Sequence, residues 1–385
     1  MNHYYPEKLD LNIVPTPCFV VDESALKRNL DVLSKIQTQT GCKILLAVKG
    51  FAMFSTFPLI RSTLKGICAS SPHEAMLGYE EFGGEVHACA AAFSESDIQI
   101  LLKICDHIVF NSFSQWNRFK NLVQQQDRKI CCGIRVNPQH SEAKVDIYDP
   151  CSPGSRLGVP RSQFREDSLS GISGLLFHTL CEQNADALQR TIQAFEKKFD
   201  TIIPKMNWIN FGGGHHITRE GYDIDLLCEL ITSFKKRYGV DVYLEPGEAV
   251  ALNAGVLVAS VLDIVQNDMD IAILDTSAAT HMPDVLEMPY RPEIAGAGLP
   301  GELSHTYRLG GPSCLAGDII GDYSFSSPLS TGSKLVFLDM AHYSMVKTTT
   351  FNGIQLPSIA IYKPDQNEFS IIRKFGYLDY KNRLS

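Results

Sequence analysis

From residue 43 to residue 245 the chain repeats one pattern eight times: a short apolar run, then a helical or looped stretch. The runs are KILLAV, GICAS, EVHAC, HIVF, KICCGIRV, ISGLLFH, MNWINF and DVYLE. Each is too short for a core helix and has the near-continuous hydrophobicity of a strand buried on both faces. The stretches between them carry helix signals. Ser94 stands where it can cap ESDIQILLKI, and residues 184–199 and 225–237 read as longer helices. Parallel strands need such crossovers, and eight of them at this length predict an α/β fold, a (β/α)8 barrel over residues 23–253. Residues 137–160, rich in Pro, Gly and Ser, form the one long loop in the pattern.

From about residue 254 the texture changes. Gly, Pro, Ser and Thr rise, and KLVFLDM and SIAIYKP read as strands with no helix between them. These residues predict a mostly β carboxyl-terminal domain, 254–385, which also takes the amino-terminal strand TPCFVV from residues 1–22. A net charge of −8 leaves no basic stripe for nucleic acid and suits a cationic small molecule better. The longest apolar runs, such as GVLVASVLDIV, fall far short of the roughly 20 residues of a membrane span. The first residues have no basic region followed by an apolar core, and eleven cysteines without CxxC spacing fit free thiols in a reducing cytoplasm. His215-His216 lacks any metal-ligand spacing, so no metal is expected.

A barrel of this kind collects its chemistry at the carboxyl ends of its strands. Lys49 ends the first run and His178 the sixth; Gly212, Gly213 and Gly214 follow the seventh, and Glu245, Pro246 and Gly247 end the eighth. Loops after the last two strands commonly bind phosphate, and glycines let backbone N–H groups approach it. A partly buried Glu245 wants a cationic partner, for which a protonated pyridine nitrogen serves. Phosphate site, amine and carboxylate together indicate pyridoxal 5′-phosphate, with Lys49 as the amine that takes its aldehyde. Aldolases and sugar-phosphate barrels offer no use for Glu245 and the glycine loop together.

At these residues the chain resembles the alanine racemase-fold (fold type III) pyridoxal phosphate decarboxylases, from Thr16 to the end. The lysine motif stands as AVKG, the ring-facing histidine as FHT, the phosphate loop as NFGGG and the pyridine-nitrogen carboxylate as EPG. GPSCLAGD matches the family's cysteine loop, with Cys314 and Asp318, and Tyr343 in DMAHYSM matches a phosphate-holding tyrosine. The resemblance implies a homodimer whose cysteine loop reaches into the partner's site. It narrows at THMPDVLEMPYRPE and LEPGEA to the branch acting on carboxynorspermidine and carboxyspermidine. Ornithine and diaminopimelate enzymes usually read EPGR and AVKAN or AVKCN. Here Glu248 replaces the arginine, and Gly50 and Phe51 follow Lys49.

The implied reaction is decarboxylation, with Lys49 and Cys314 catalytic and Cys314 the proton donor to the carbon that loses carbon dioxide. His178, Gly212, Gly213, Gly214, Glu245, Gly247 and Tyr343 are expected to hold the cofactor beside Lys49. Glu248, Asp284, Glu287 and Asp318 are expected to bind the substrate, the first two as ligands of its cationic tail, because an ammonium leaving water must be paired. Other basic amino acids, a pyridoxal phosphate homeostasis protein and an inactive homologue are the alternatives. The single-domain architecture of homeostasis proteins and the presence of both Lys49 and Cys314 here speak against the last two.

Overall fold

The computed structural model describes residue 6, residues 8–143 and residues 145–385. The chain forms two compact units, one of Asn29–Val250 and one of the described residues up to Arg28 with Ala251–Ser385. The division falls inside the helix Glu23–Thr40.

In the first unit all eight expected strands form: β1 Lys43–Ala47, β2 Gly66–Ala69, β3 Glu85–Cys89, β4 His107–Phe110, β5 Cys131–Asn137, β6 Ile172–Leu176, β7 Trp208–Asn210 and β8 Asp241–Leu244. Every pairing is parallel, in the order β4-β3-β2-β1-β8-β7-β6-β5, and β4 also pairs with β5. That last ladder closes the barrel and leaves the eight strands no free edge. Helix starts follow their local chemistry. The Ser71, Ser94, Ser112 and Asp223 side chains each accept an N–H three residues on, and Ser94 and Asp97 make a reciprocal capping box.

The barrel is filled rather than hollow. Leu45, Val109, Leu176, Trp208 and Tyr243 pack within it, each side chain of this size contributing about 1.5–3 kcal/mol on burial. Trp208 fits because its neighbours on β6 and β5 are glycines. A Cβ on Gly133 or Gly174 would lie 2.5 or 2.1 Å from the indole. The helix Ala185–Phe199 lays Leu188, Ile192, Phe195 and Phe199 inward at helical spacing.

The second unit is built on an eight-stranded, mostly antiparallel sheet. Cys18–Asp22 lies at its centre, antiparallel to Gly255–Asn267 and parallel to Ser358–Lys363. Val20, Val256, Val258, Val336, Ala360 and Tyr362 are buried together on it. The helices of this unit are single turns such as Ala278–His281, Asp284–Glu287 and Tyr343–Val346.

Candidate active site

Lys49 lies in a turn two residues beyond the end of β1, exposed at the barrel mouth. Among the described residues its amine makes no hydrogen bond or ion pair. The turn is pressed against the one after β8: Ala47 donates to Pro246 O at 3.1 Å, and a Cβ on Gly50 would lie 2.9 Å from Gly247 Cα. A side chain at Gly50 or Gly247 would wedge the two turns apart. That contact gives Gly50 a physical reason to follow the lysine in this chain.

Glu245, half-buried, is held from both sides. Its N–H donates to Gly212 O at 2.8 Å, extending the β7–β8 ladder, and its Oε1 accepts Asn210 Nδ2 at 2.7 Å. Asn210 Oδ1 in turn accepts the Gly212 N–H at 2.8 Å. The carboxylate therefore stands in a fixed direction, set by an amide that is itself fixed.

His178 Nδ1 accepts the Gly213 N–H at 2.8 Å, so the ring's proton sits on Nε2. Burial, then the Lys49 and Arg135 charges and His215, holds its pKa well below the ordinary imidazole value. Geometry and electrostatics agree on a neutral ring.

The three loop glycines are not equivalent. The Gly212 and Gly213 N–H groups are used inside the barrel, on Asn210 and His178. Among the described residues the Gly214 and Gly247 N–H groups make no such bond, and they are the amides left for an anion. Glycine is required all the same. Gly212 and Gly214 have φ of +72° and +79°, and a Cβ on Gly213 would lie 2.3 Å from Glu245 O.

Glu248 Oε1 lies 3.2 Å from His216 Nε2, an ion pair whenever that ring is protonated. Of the histidine pair, His216 is the ring beside Glu248, and His215 is buried. A different group does bring three possible ligands together: Glu85, His87 and His107 have ligand atoms within 4.8 Å of one another, at the opposite end of the barrel. The two rings stack at 3.9 Å and 7°, so their in-plane lone pairs run parallel and do not converge on one ion.

In the sheet unit Cys314 is exposed, and its N–H donates to Asn352 Oδ1 at 2.8 Å. Asp318, expected to bind substrate, is instead a buried brace. Its oxygens take Ser277 Oγ at 2.8 Å, the Ala279 N–H at 3.2 Å, and the Ser313 N–H and Oγ at 3.3 and 2.6 Å. With 3% exposure and four donors, its lone pairs are largely committed to the fold. Asp284 and Glu287 share one cation, Lys347, whose Nζ lies 2.5 and 2.6 Å away. Tyr343 opens a short helix and is half-buried.

Three further residues belong to this picture and went unread in the sequence. Arg135, the charged residue in GIRV, alternates with Gly133 and so points into the barrel, near His178 O at 3.4 Å. Asn210 follows Trp208 by the same two-residue step. Asn352 carried no signal beyond its neighbour Gly353.

A family model described as "Pyridoxal-dependent decarboxylase, C-terminal sheet domain" matches residues 18–341. The chain belongs to the pyridoxal-dependent decarboxylases. Its relatives include a carboxyaminopropylagmatine decarboxylase of Synechocystis, 44% identical, with 97% of this chain and 96% of that one covered. A carboxynorspermidine/carboxyspermidine decarboxylase of Campylobacter jejuni is 42% identical over 96% and 98% of the two chains. The solved carboxynorspermidine decarboxylase of that organism, complexed with norspermidine, superposes with a TM-score of 0.89 over 96% of this chain and 100% of its own, at 42% identity. Within the family the chain therefore stands in the group that contains the carboxynorspermidine/carboxyspermidine decarboxylases.

The barrel mouth fits the family's cofactor. An unpaired amine, an anchored carboxylate and a neutral ring stand at strand ends that also carry a loop whose glycines leave no room for a Cβ. A protonated ring nitrogen there would give Glu245 the cationic partner that a half-buried carboxylate needs.

Proposed function

We propose that this pyridoxal phosphate-dependent carboxy-lyase acts on carboxynorspermidine and carboxyspermidine, releasing norspermidine and spermidine. The observation that carries the substrate is the 42% identity to the Campylobacter decarboxylase, spread over nearly all of both chains. Bound pyridoxal phosphate supplies the electron sink for the pair left when carbon dioxide departs. Lys49 holds the cofactor's aldehyde carbon, and Glu245 keeps a proton on the ring nitrogen. His178 offers a neutral ring face, while the Gly214 and Gly247 amides and Tyr343 hold the phosphate. Cys314, contributed by the partner subunit of a homodimer, protonates the vacated carbon.

Glu248 and Asp284 face the cationic tail, and Glu287 supports Asp284. Lys347 lies between Asp284 and Glu287, and His216 lies beside Glu248, so the substrate's ammonium groups must displace or share both partners. Eleven free thiols suit work in a reducing cytoplasm.

The 44% identity to a carboxyaminopropylagmatine decarboxylase supports a second reading, in which the tail ends in a guanidinium. Carbon dioxide release over carboxynorspermidine, carboxyspermidine, carboxyaminopropylagmatine, ornithine and diaminopimelate separates the two. The proposal requires the highest kcat/KM on one of the first two. Preference for the third establishes the second reading, and preference for either amino acid of the last pair removes both.

A further inference from the structure

The loop 311–318 is exposed at Cys314, so little packing directs the thiol. Its direction is left to the backbone, and that backbone is tied on two sides. Asp318 accepts the Ser313 N–H and Oγ. Asn352, 38 residues along the chain, accepts the Cys314 N–H at 2.8 Å. Asn352 holds the left-handed backbone conformation, φ 58° and ψ 11°, which few residues with a Cβ adopt and asparagine tolerates. An unfavourable backbone state and a side chain aimed at the amide of one cysteine indicate a residue kept for that bond.

We propose that Asn352 is a positioning residue for Cys314, fixing the thiol where it can deliver its proton. The inference rests on the reading of Cys314 as proton donor. Proton delivery requires donor and carbon in close register, and a misplacement of about 1 Å costs on the order of a hundredfold. When the substrate carbon misses its proton, the proton goes to the cofactor carbon bound to the same nitrogen. Water then hydrolyses the linkage: its oxygen becomes the product aldehyde's, and the substrate nitrogen stays on the cofactor as its amine. The ratio of aldehyde to amine product therefore reports where the thiol stands.

The variants separate backbone from bond. Asn352→Gly keeps the conformation and loses the acceptor; Asn352→Asp keeps both. With pyridoxal phosphate bound and carboxynorspermidine or another accepted substrate from the panel, Asn352→Gly should raise the aldehyde fraction about tenfold, the value of one hydrogen bond. Asn352→Asp should stay within about threefold of the parent on the same scale. Hydrogen exchange of the Cys314 amide in the cofactor-free protein should quicken in Asn352→Gly and not in Asn352→Asp. In a Cys314→Ala background Asn352→Gly should add no aldehyde, because the group it positions is gone. If Cys314→Ala forms aldehyde and Asn352→Gly does not, the inference fails alone. If Cys314→Ala forms none, the reading of Cys314 falls and takes the inference with it.

Discussion

The two ends of the barrel are both polar, and they differ in what their polar groups bind. At the amino end Glu85, His87, Tyr243, Lys43 and Asp241 bond to one another, and His107 stacks on the His87 ring. Glu85 Oε2 lies 3.1 Å from His87 Nε2 and accepts Tyr243 Oη at 3.3 Å, and Lys43 reaches Tyr243 Oη at 3.0 Å and Asp241 at 3.1 Å. At the carboxyl end the ring and the carboxylate are gripped through one atom each, by Gly213 and Asn210, and Lys49 is not gripped. A closed network stabilises the fold; a network held at its base and open at its tip is prepared for a ligand. Strand ends in such barrels divide their labour in this way.

The largest effect should come from the open end. Lys49→Ala is expected to lower kcat by about a thousandfold or more while changing stability by less than about 0.5 kcal/mol, since the side chain is exposed and unpaired. Borohydride reduction of the protein with pyridoxal phosphate should modify the peptide bearing Lys49. Attachment at another lysine would remove the mouth's assignment. Next, Glu245→Gln keeps an oxygen for Asn210 Nδ2 but loses the charge, so kcat should fall about a hundredfold with the melting temperature unchanged. A comparable loss of stability would make Glu245 a member of a closed network, and the contrast between the ends would collapse.

The barrel was legible because eight apolar runs alternate with crossovers, and a parallel sheet has few other ways to bury strands on both faces. At the mouth, the placement of Lys49, His178 and Glu245 just beyond the strand ends was legible from the apolar runs that precede them. The mouth was illegible where function depends on which atom meets which. GGG looks uniform, yet two of its amides are consumed by His178 and Asn210. Asp318 sits in a recognisable motif, but only the fold shows Ser277, Ala279 and Ser313 around it. Asp284 and Glu287 invited a cationic ligand, and Lys347, sixty or more residues away, supplies one. The floor histidines gave no sign, because their pairing depends on β3 and β4 being neighbours.

The closed end predicts smaller effects of the opposite kind. Glu85→Gln or His87→Ala should cost about 1–3 kcal/mol of stability by leaving buried partners unmatched, with kcat/KM unchanged. A variant that loses turnover while keeping its melting temperature would break the comparison.

The smallest expected effect is the pH dependence of that floor. His107 is buried against the His87 ring, Trp208 and Tyr243, with Glu85 and Lys43 the charged groups nearby. Burial first, and then the neighbouring His87, lowers its pKa from 6.5 to about 3. The unfolded chain therefore binds a proton that the folded one refuses between pH 6.5 and about 3. Stability from this group is complete above 6.5 and is lost as pH falls, with a slope of at most about 1.4 kcal/mol per pH unit. Glu85 acts lower on the scale. Burial opposes its ionisation, but the hydrogen bond and charge of His87 hold it at about 2 against an ordinary 4.5, so its contribution fades only below 4.5. Between pH 6.5 and 4.5 the two can be told apart. His107→Phe keeps a ring in the stack and removes the proton site, so its stability should fall less steeply there than the parent's. His215 and His281, each lowered to about 4 by burial, slope both proteins equally, so the difference between the curves is the measure. Urea titrations at intervals of pH would give it. Equal slopes would mean that His107 takes up its proton in the folded barrel, and the floor would then be as open as the mouth.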